Sequence, residues 1–331
     1  MEGKLMRILL TGGSGFIGTN LTNYLFHKHP DYTIINFSPY RTGSRAMNVA
    51  RFQTNPNYIY VDGVIENELA LVRTFGLGVD VVVNLAGQTH IDRSLQTPGS
   101  LISANVLGAQ MVLDMARKFS VKRVIQISSA EVYGPINKGS DVSETYRLAP
   151  VNPYGASKVA TELITQSYHQ TFGMDTIITR CSNNYGQYQT PEKLMPLVIT
   201  NALLNRPIPL YGDGEQMRDW LHIDDHCSAL DAIIHNGVPG SVYNISGNQT
   251  ATTKEIVQTV LQCLDRPWSL VQSVADRPGN FDRYPLSCDK LTTDTGWKPT
   301  YLLEDGIRET ASWYQSNEEW WTVQGEVTTI R

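Results

Sequence analysis

The chain has 331 residues, 41% apolar and 18% charged, with 26 Gly and 16 Pro; this excludes disorder and collagen-like order and leaves enough chain for a continuous core. Lys and Arg total 27 against 32 Asp and Glu, so a net charge of -5 offers no general attraction to nucleic acid, and any phosphate must be held locally. Cys181, Cys227, Cys263 and Cys288 show no CxxC spacing, which indicates neither zinc nor a disulfide framework and fits a reducing cytoplasm; no apolar run nears the ~20 residues of a membrane helix, and no signal-peptide cleavage pattern follows the N-terminus.

Along the chain, short β-branched runs alternate with amphipathic segments, the pattern of a parallel sheet with crossover helices. Strands are predicted at residues 6–11, 33–37, 58–61, 79–85, 123–128 and 176–179, all nearly continuous apolar runs that suit burial on both faces. Helices with apolar residues at three- and four-residue steps are predicted between them at 15–29, 99–119 and 154–172. Beyond about Cys181 prolines punctuate shorter elements, with helices predicted at 192–204, 254–264 and 303–317. The expected fold is α/β: a Rossmann-type doubly wound parallel sheet over residues 1–180, then a smaller mixed α/β substrate domain over 181–331 with some segments returning to the first.

The first strand runs into Thr11-Gly12-Gly13-Ser14-Gly15-Phe16-Ile17-Gly18 and then a helix. In that context Gly12 permits a tight turn, Gly15 lets the backbone with Phe16 and Ile17 approach a pyrophosphate, and Gly18 allows helix to pack closely on sheet, so a dinucleotide site is expected. An acidic residue should end the second strand if the cofactor is NAD. Ser38 stands there instead, followed by Arg41 and Arg45, a neutral hydroxyl and two cations suited to a 2′-phosphate. The expected cofactor is therefore NADP or NAD, with the lean to NADP.

Tyr154 and Lys158, four residues apart at a helix start, share one face. An ammonium and a cationic nicotinamide nearby would favour phenolate and lower the tyrosine pKa, fitting Tyr154 to take a hydroxyl proton during hydride transfer. Ser128-Ser129-Ala130-Glu131 ends the fifth strand at the carboxyl edge of the sheet, where open α/β folds bind ligands. Ser129 is placed to hydrogen-bond a reacting hydroxyl, and burial would raise the pKa of Glu131 toward that of a base for a proton on carbon next to a ketone.

With these segments, Gln88 to Ser94, Cys181 to Gly186, Pro191 to Leu194, Tyr211 to Gly214, Arg218-Asp219-Trp220, Asp276 to Gly279 and Trp297-Lys298-Pro299 complete a set that resembles the extended short-chain dehydrogenases/reductases, closest to their dTDP-glucose 4,6-dehydratase group. The resemblance covers almost the whole chain. It implies a nucleotide-diphosphate hexose substrate, a tightly bound nicotinamide cofactor regenerated each turnover, and the usual homodimer. In the cycle it implies, Tyr154 takes the C4 hydroxyl proton during oxidation, Glu131 removes the C5 proton, and the C6 hydroxyl leaves as water. By the same resemblance Asn183, Lys193, Arg218, Arg277 and Tyr284 would hold the nucleotide diphosphate, and His90 would approach the hexose.

Three positions depart from the group's pattern. Ala130 stands where the group has the aspartic acid that protonates the leaving hydroxyl, Gln88 replaces a glutamate, and Val64 falls near an aspartate expected to face adenine. Three readings follow: a dehydratase of the 4,6 type, with hydride returning either to C6 or, in a variant acting for example on UDP-GlcNAc, to C4 to give a 5,6-ene sugar nucleotide; a C4 or other epimerase, which needs no elimination acid; or a nucleotide sensor without activity. The run His222-Ile223-Asp224-Asp225-His226 has metal-ligand spacing but reads better as a helix cap, so no metal is expected. Trp313, Tyr314, Trp320 and Trp321 are expected to pack the C-terminus.

Overall fold

Strands whose residues are apolar at nearly every position can be satisfied only between two layers of helix, and the sheet is built that way. The computed structural model describes residues 5–40, 45–89, 97–140, 142–276, 281–282 and 284–322. Its strands are β1 (Arg7–Thr11), β2 (Thr33–Phe37), β3 (Tyr58–Val61), β4 (Val81–Asn84), β5 (Arg123–Ser129), β6 (Thr176–Cys181), β7 (Asn183–Tyr185), β8 (Ile208–Tyr211), β9 (Met217–His222), β10 (Val242–Ile245), β11 (Thr250–Thr252) and β12 (Val271–Val274). Seven form one parallel sheet in the order β10-β6-β5-β4-β1-β2-β3. The order reverses between β1 and β4, which opens a crevice beyond their carboxyl ends.

Alternation of side chains along β1 feeds both faces. Ile8 and Leu10 join Leu21 and Leu25 of helix α1 (Phe16–Lys28) in one cluster, while Leu9 joins Val82, Val112 and Leu113 in another. Each such side chain, fully buried, contributes about 1.5–3 kcal/mol. Helices α2 (Ala46–Val49) and α3 (Glu68–Phe75) follow β2 and β3. Helix α4 spans residues 98–118 and is not regular as expected: between Pro98–Ile102 and Gly108–Lys118 it widens into a π turn over Ser103–Leu107. Helix α5 (Pro153–Phe172) is capped by Asn152 and ends on Gly173 in the left-handed region.

The second half contributes α6 (Leu194–Leu203), α7 (Ile223–Asn236), α8 (Thr253–Cys263), α9 (Asp289–Thr295), α10 (Leu303–Ser316) and α11 (Glu318–Thr322). Met195, Val198, Val257, Val260, Ile307 and Tyr314 make its own core beside a three-stranded sheet, β11-β9-β7, and the pair β12-β8. Two of its elements return to the large sheet: β10 extends it next to β6, and α7 packs on α1. The four cysteines are free thiols. Among the described residues, no helix is long and apolar enough to cross a membrane.

Asp231 of α7 ties the two halves together, accepting from Lys28 Nζ at 2.7 Å and lying 2.9 Å from His29 Nε2. Burial pushes this carboxyl up, but hydrogen bonds from His235 and Lys28 outweigh it and hold it down at about 2. The bond to Asp231 in turn raises His235. A depressed acid stabilises above its unfolded pKa near 4, and a raised imidazole stabilises below its unfolded value near 6.5. Asp231→Asn should therefore cost most melting temperature between about pH 4 and 6.5, and the gap to wild type should narrow as pH rises through the His235 transition; thermal melts across that range check this.

Candidate functional site

The glycine turn lies at the reversal of strand order. Gly12 has φ +70°, and a Cβ there would come within 3.0 Å of the Ala86 nitrogen. Gly15 donates its N–H to the Gly12 carbonyl at 3.0 Å and caps α1 with no side-chain bond, and the first turn of α1 carries no acid. The first N–H groups of the helix, from Phe16 and Ile17 onward, thus face the crevice end with a positive dipole and no side-chain cap. A Cβ on Gly18 would lie 2.5 Å from the Gly13 Cα, so the helix sits as close to the turn as only glycine allows. These residues fit a dinucleotide pyrophosphate. Gly18→Ala should push the turn open and weaken dinucleotide binding by at least about tenfold, read by titration calorimetry.

The end of β2 differs from expectation. Ser38 is 1% exposed and locked into a neutral network: its Oγ donates to Asn36 Oδ1 at 2.8 Å and meets Ser14 Oγ at 2.8 Å, while Asn36 Nδ2 donates to the Tyr58 hydroxyl at 2.7 Å. Arg45 is buried too, its Nη1 donating to the Trp320 carbonyl at 3.0 Å and its guanidinium lying 4.7 Å from the Trp320 ring centre. Burial of both side chains removes the physical basis for the lean to NADP that rested on them. Arg41 lies outside the described residues.

Tyr154 and Lys158 are 7% and 5% exposed and point from α5 under the ends of β5 and β6. Lys158 Nζ donates to the Ile127 carbonyl at 3.0 Å and stands 6.0 Å from the Tyr154 ring centre. The expected lowering of the tyrosine is not found in the protein alone. Burial raises Tyr154, with Cys181 and Glu131 adding to it and the Ser129 hydroxyl pulling the other way; burial lowers Lys158 to about 8. The ammonium is too far from the phenol, and too desolvated, to win. Ser129 Oγ accepts from the Glu131 N–H at 3.2 Å, and the Glu131 carboxylate, 8% exposed in all, accepts from Asn152 Nδ2 at 3.0 Å. Ser129, Glu131, Tyr154 and Lys158 thus share one edge, with Ser129 half-buried and the other three buried. The Ala130 methyl packs in an apolar cluster with Val132, Tyr133 and Leu286.

Of the residues expected at the substrate, Tyr284 borders that same cluster, and Lys193, at the start of α6, donates to the Thr89 carbonyl at 3.2 Å. Asn183 on β7 pairs with Trp220 on β9, two residues from Arg218, whose buried guanidinium meets the carbonyls of Met217 and Phe281. His90 and Arg277 lie outside the described residues. At the start of α7 His222 Nδ1 accepts from the Asp224 N–H at 3.3 Å and so caps the helix.

Sequence reasoning missed two residues. Asn152 caps α5 with its oxygen and holds Glu131 with its nitrogen; an Asn before Pro at a helix start is a readable signal. Asn105, in the π turn of α4, accepts from the Gln88 N–H at 2.7 Å and donates to the Gln88 carbonyl and Ser157 Oγ, both at 3.0 Å, so it joins the loop after β4 to the helix carrying Tyr154. No periodicity signals a π turn, though such turns gather at functional sites.

With this geometry the chain has clear relatives. A family model described as GDP-mannose 4,6 dehydratase matches residues 9–310. A dTDP-glucose 4,6-dehydratase of Actinoplanes sp. is 39% identical over 324 residues, 96% of this chain and 100% of that one. The crystal structure of a dTDP-glucose 4,6-dehydratase from Streptomyces venezuelae with NAD and TYD bound is 38% identical, with TM-score 0.93 over 96% of this chain and 99% of that one. A UDP-glucose 4-epimerase from Thermotoga maritima, solved with UDP-glucose, is 26% identical, with TM-score 0.87 over 94% of this chain and 99% of that one.

Proposed function

The chain belongs to the extended short-chain dehydrogenase/reductase family of NAD-dependent sugar epimerases and dehydratases, and from that premise, which makes it a nucleotide-sugar 4,6-dehydratase of the hydro-lyase class, we propose a variant in which one carboxyl group serves as both base and acid. NAD rather than NADP is the cofactor in this reading; the relative's structure holds NAD, and the Ser38 network and the Arg45–Trp320 contact support the choice. Bound at the glycine turn with its nicotinamide toward Tyr154 and Lys158, it would supply a hydride acceptor, a positive charge beside the phenol, and the same hydride back before product leaves. Residues 1–180 serve the cofactor and 181–331 the nucleotide sugar, with Asn183, Lys193, Arg218, Arg277 and Tyr284 on the diphosphate side and His90 toward the hexose. A homodimer through α4 and α5, whose Ile102, Leu107 and Leu163 are exposed, completes the picture.

The proton count carries the variant. Tyr154, bonded by Ser129, takes the proton of the C4 hydroxyl as C4 becomes a ketone. Glu131 takes the C5 proton, which the ketone acidifies. The C6–O bond breaks only if the oxygen receives a proton, and the alanine at 130 has none to give, so Glu131 passes on the proton it has just accepted and water leaves. Glu131 is then a bare carboxylate, unable to protonate C5, whereas Tyr154 still holds the proton taken from O4. Reduction at C4 with that proton closes the balance and leaves a double bond between C5 and C6.

The single observation behind this is Ala130 beside an intact Ser129, Glu131, Tyr154 and Lys158. Incubation with dTDP-glucose, UDP-glucose and UDP-GlcNAc, the last expected from the missing ribose and elimination acids, should give a product lighter by one water whose proton NMR shows an exocyclic methylene. Ala130→Asp restores the acid and should shift the product to a C6 methyl group. A C6 methyl from the wild type overturns the variant, and a product of unchanged mass favours the epimerase.

A further inference from the structure

The dinucleotide turn is held from outside by the far end of the chain. Ser14, inside the turn, presents its carbonyl to two donors, the Arg45 N–H at 3.2 Å and Asn48 Nδ2 at 2.8 Å. Because the peptide unit is planar and trans, fixing that carbonyl also fixes the Gly15 N–H, which points the opposite way to Gly12 at 3.0 Å. Asn48 is 1% exposed, and its Oδ1 accepts from Trp320 Nε1 at 2.8 Å. The same tryptophan receives Arg45 twice, through its carbonyl at 3.0 Å and under its ring at 4.7 Å.

Trp320 has little freedom of its own. It is 5% exposed and wedged edge-on against Trp313 at 5.2 Å and Tyr188 at 5.8 Å, both in the half of the molecule that carries the substrate residues. The path Trp320 to Asn48 and Arg45 to Ser14 is therefore a short chain of buried, directional bonds running from α11 to the phosphate turn, rather than apolar contact alone.

We propose that Trp320 is a positioning residue for the dinucleotide-binding turn, acting through Asn48 and Arg45, so that docking of α11 sets how firmly the cofactor is held. This rests on the dinucleotide binding at that turn. Trp320→Phe keeps the aromatic packing and the ring face under Arg45 but removes the indole N–H. Asn48→Ala removes the link on both sides.

The test is the release rate of bound NAD, followed by rapid filtration, with the melting temperature of the nucleotide-free protein and the KM for the nucleotide sugar measured alongside. Trp320→Phe and Asn48→Ala should each release NAD about tenfold faster. The double variant should release it no faster than Asn48→Ala alone, since both act on one path. Trp320→Phe strands the buried Asn48 oxygen and should lower the melting temperature of the nucleotide-free protein by a few degrees, as Asn48→Ala should, but KM should stay at its wild-type value for both, which a general loosening of the substrate half would not allow. Wild-type release from Trp320→Phe, additive effects, or faster release accompanied by a raised KM overturns the positioning role while leaving the dinucleotide site intact; a wild-type protein that binds no NAD sinks both.

Discussion

Glu131→Gln should lower the rate of water loss by about 10³-fold while leaving affinity for NAD and for the nucleoside diphosphate unchanged. The amide has the size of the carboxylate and can still accept from Asn152 Nδ2, so the helix cap and the Glu131 backbone bond to Ser129 stay in place. What is lost is the ability to take a proton from carbon and to hand it to the departing oxygen. In enzymes with a separate elimination acid the two tasks fall on two residues; in the variant proposed for this chain they fall on one, so a single substitution should stop both. Pre-steady-state kinetics with product quantified by mass spectrometry measures the effect, and an activity within a few-fold of wild type would remove Glu131 from the chemistry.

The second large effect is on stability. Arg180 of β6 and Glu162 of α5 form a buried pair, 3% and 1% exposed at their side chains, with Nε within 3.1 Å of both carboxylate oxygens and Nη2 2.7 Å from one of them. Arg180 Nη1 also donates to the Tyr133 hydroxyl at 2.8 Å and the Glu144 carbonyl at 2.9 Å, so the loop after β5 hangs on the same guanidinium. Removing one partner strands a desolvated charge, which costs about 3–5 kcal/mol, whereas replacing both with apolar groups of similar volume is often nearly neutral. Arg180→Met should therefore lower the melting temperature by roughly 5–10 °C, and Arg180→Met with Glu162→Leu should recover much of the loss. Failure of the double variant to recover would mean that the bonds to Tyr133 and Glu144, rather than the charge pair, dominate.

The parallel sheet was legible because β1 to β4 are mostly apolar and β5 and β6 carry apolar runs at Val124-Ile125 and Ile177-Ile178, as strands covered on both faces do. Tertiary context decided the rest. β10 is four residues long and could not be assigned to the large sheet from its sequence, because its place there is set by pairing with β6 some sixty residues earlier. The candidate site edge was legible where residue chemistry and strand position agreed, at Ser129, Glu131, Tyr154 and Lys158, which the fold brings together. It was not legible where a side chain does its work by geometry: Asn105 acts through a π turn that leaves no period in the sequence, and Arg45, which reads as a cation for a phosphate, is taken up by a tryptophan 275 residues away. The raised Tyr154 has the same origin, since spacing brings Lys158 to the right face but only coordinates show burial outweighing its charge.

The central claim is that Glu131 strips the C5 proton and sends it out with the C6 oxygen. Wild-type protein given a nucleoside diphosphate hexose deuterated at C5 should yield a product that has lost one water and the deuterium together, at a rate slowed by the heavier isotope. A product that keeps its deuterium at C5, with or without altered stereochemistry at C4, would contradict it.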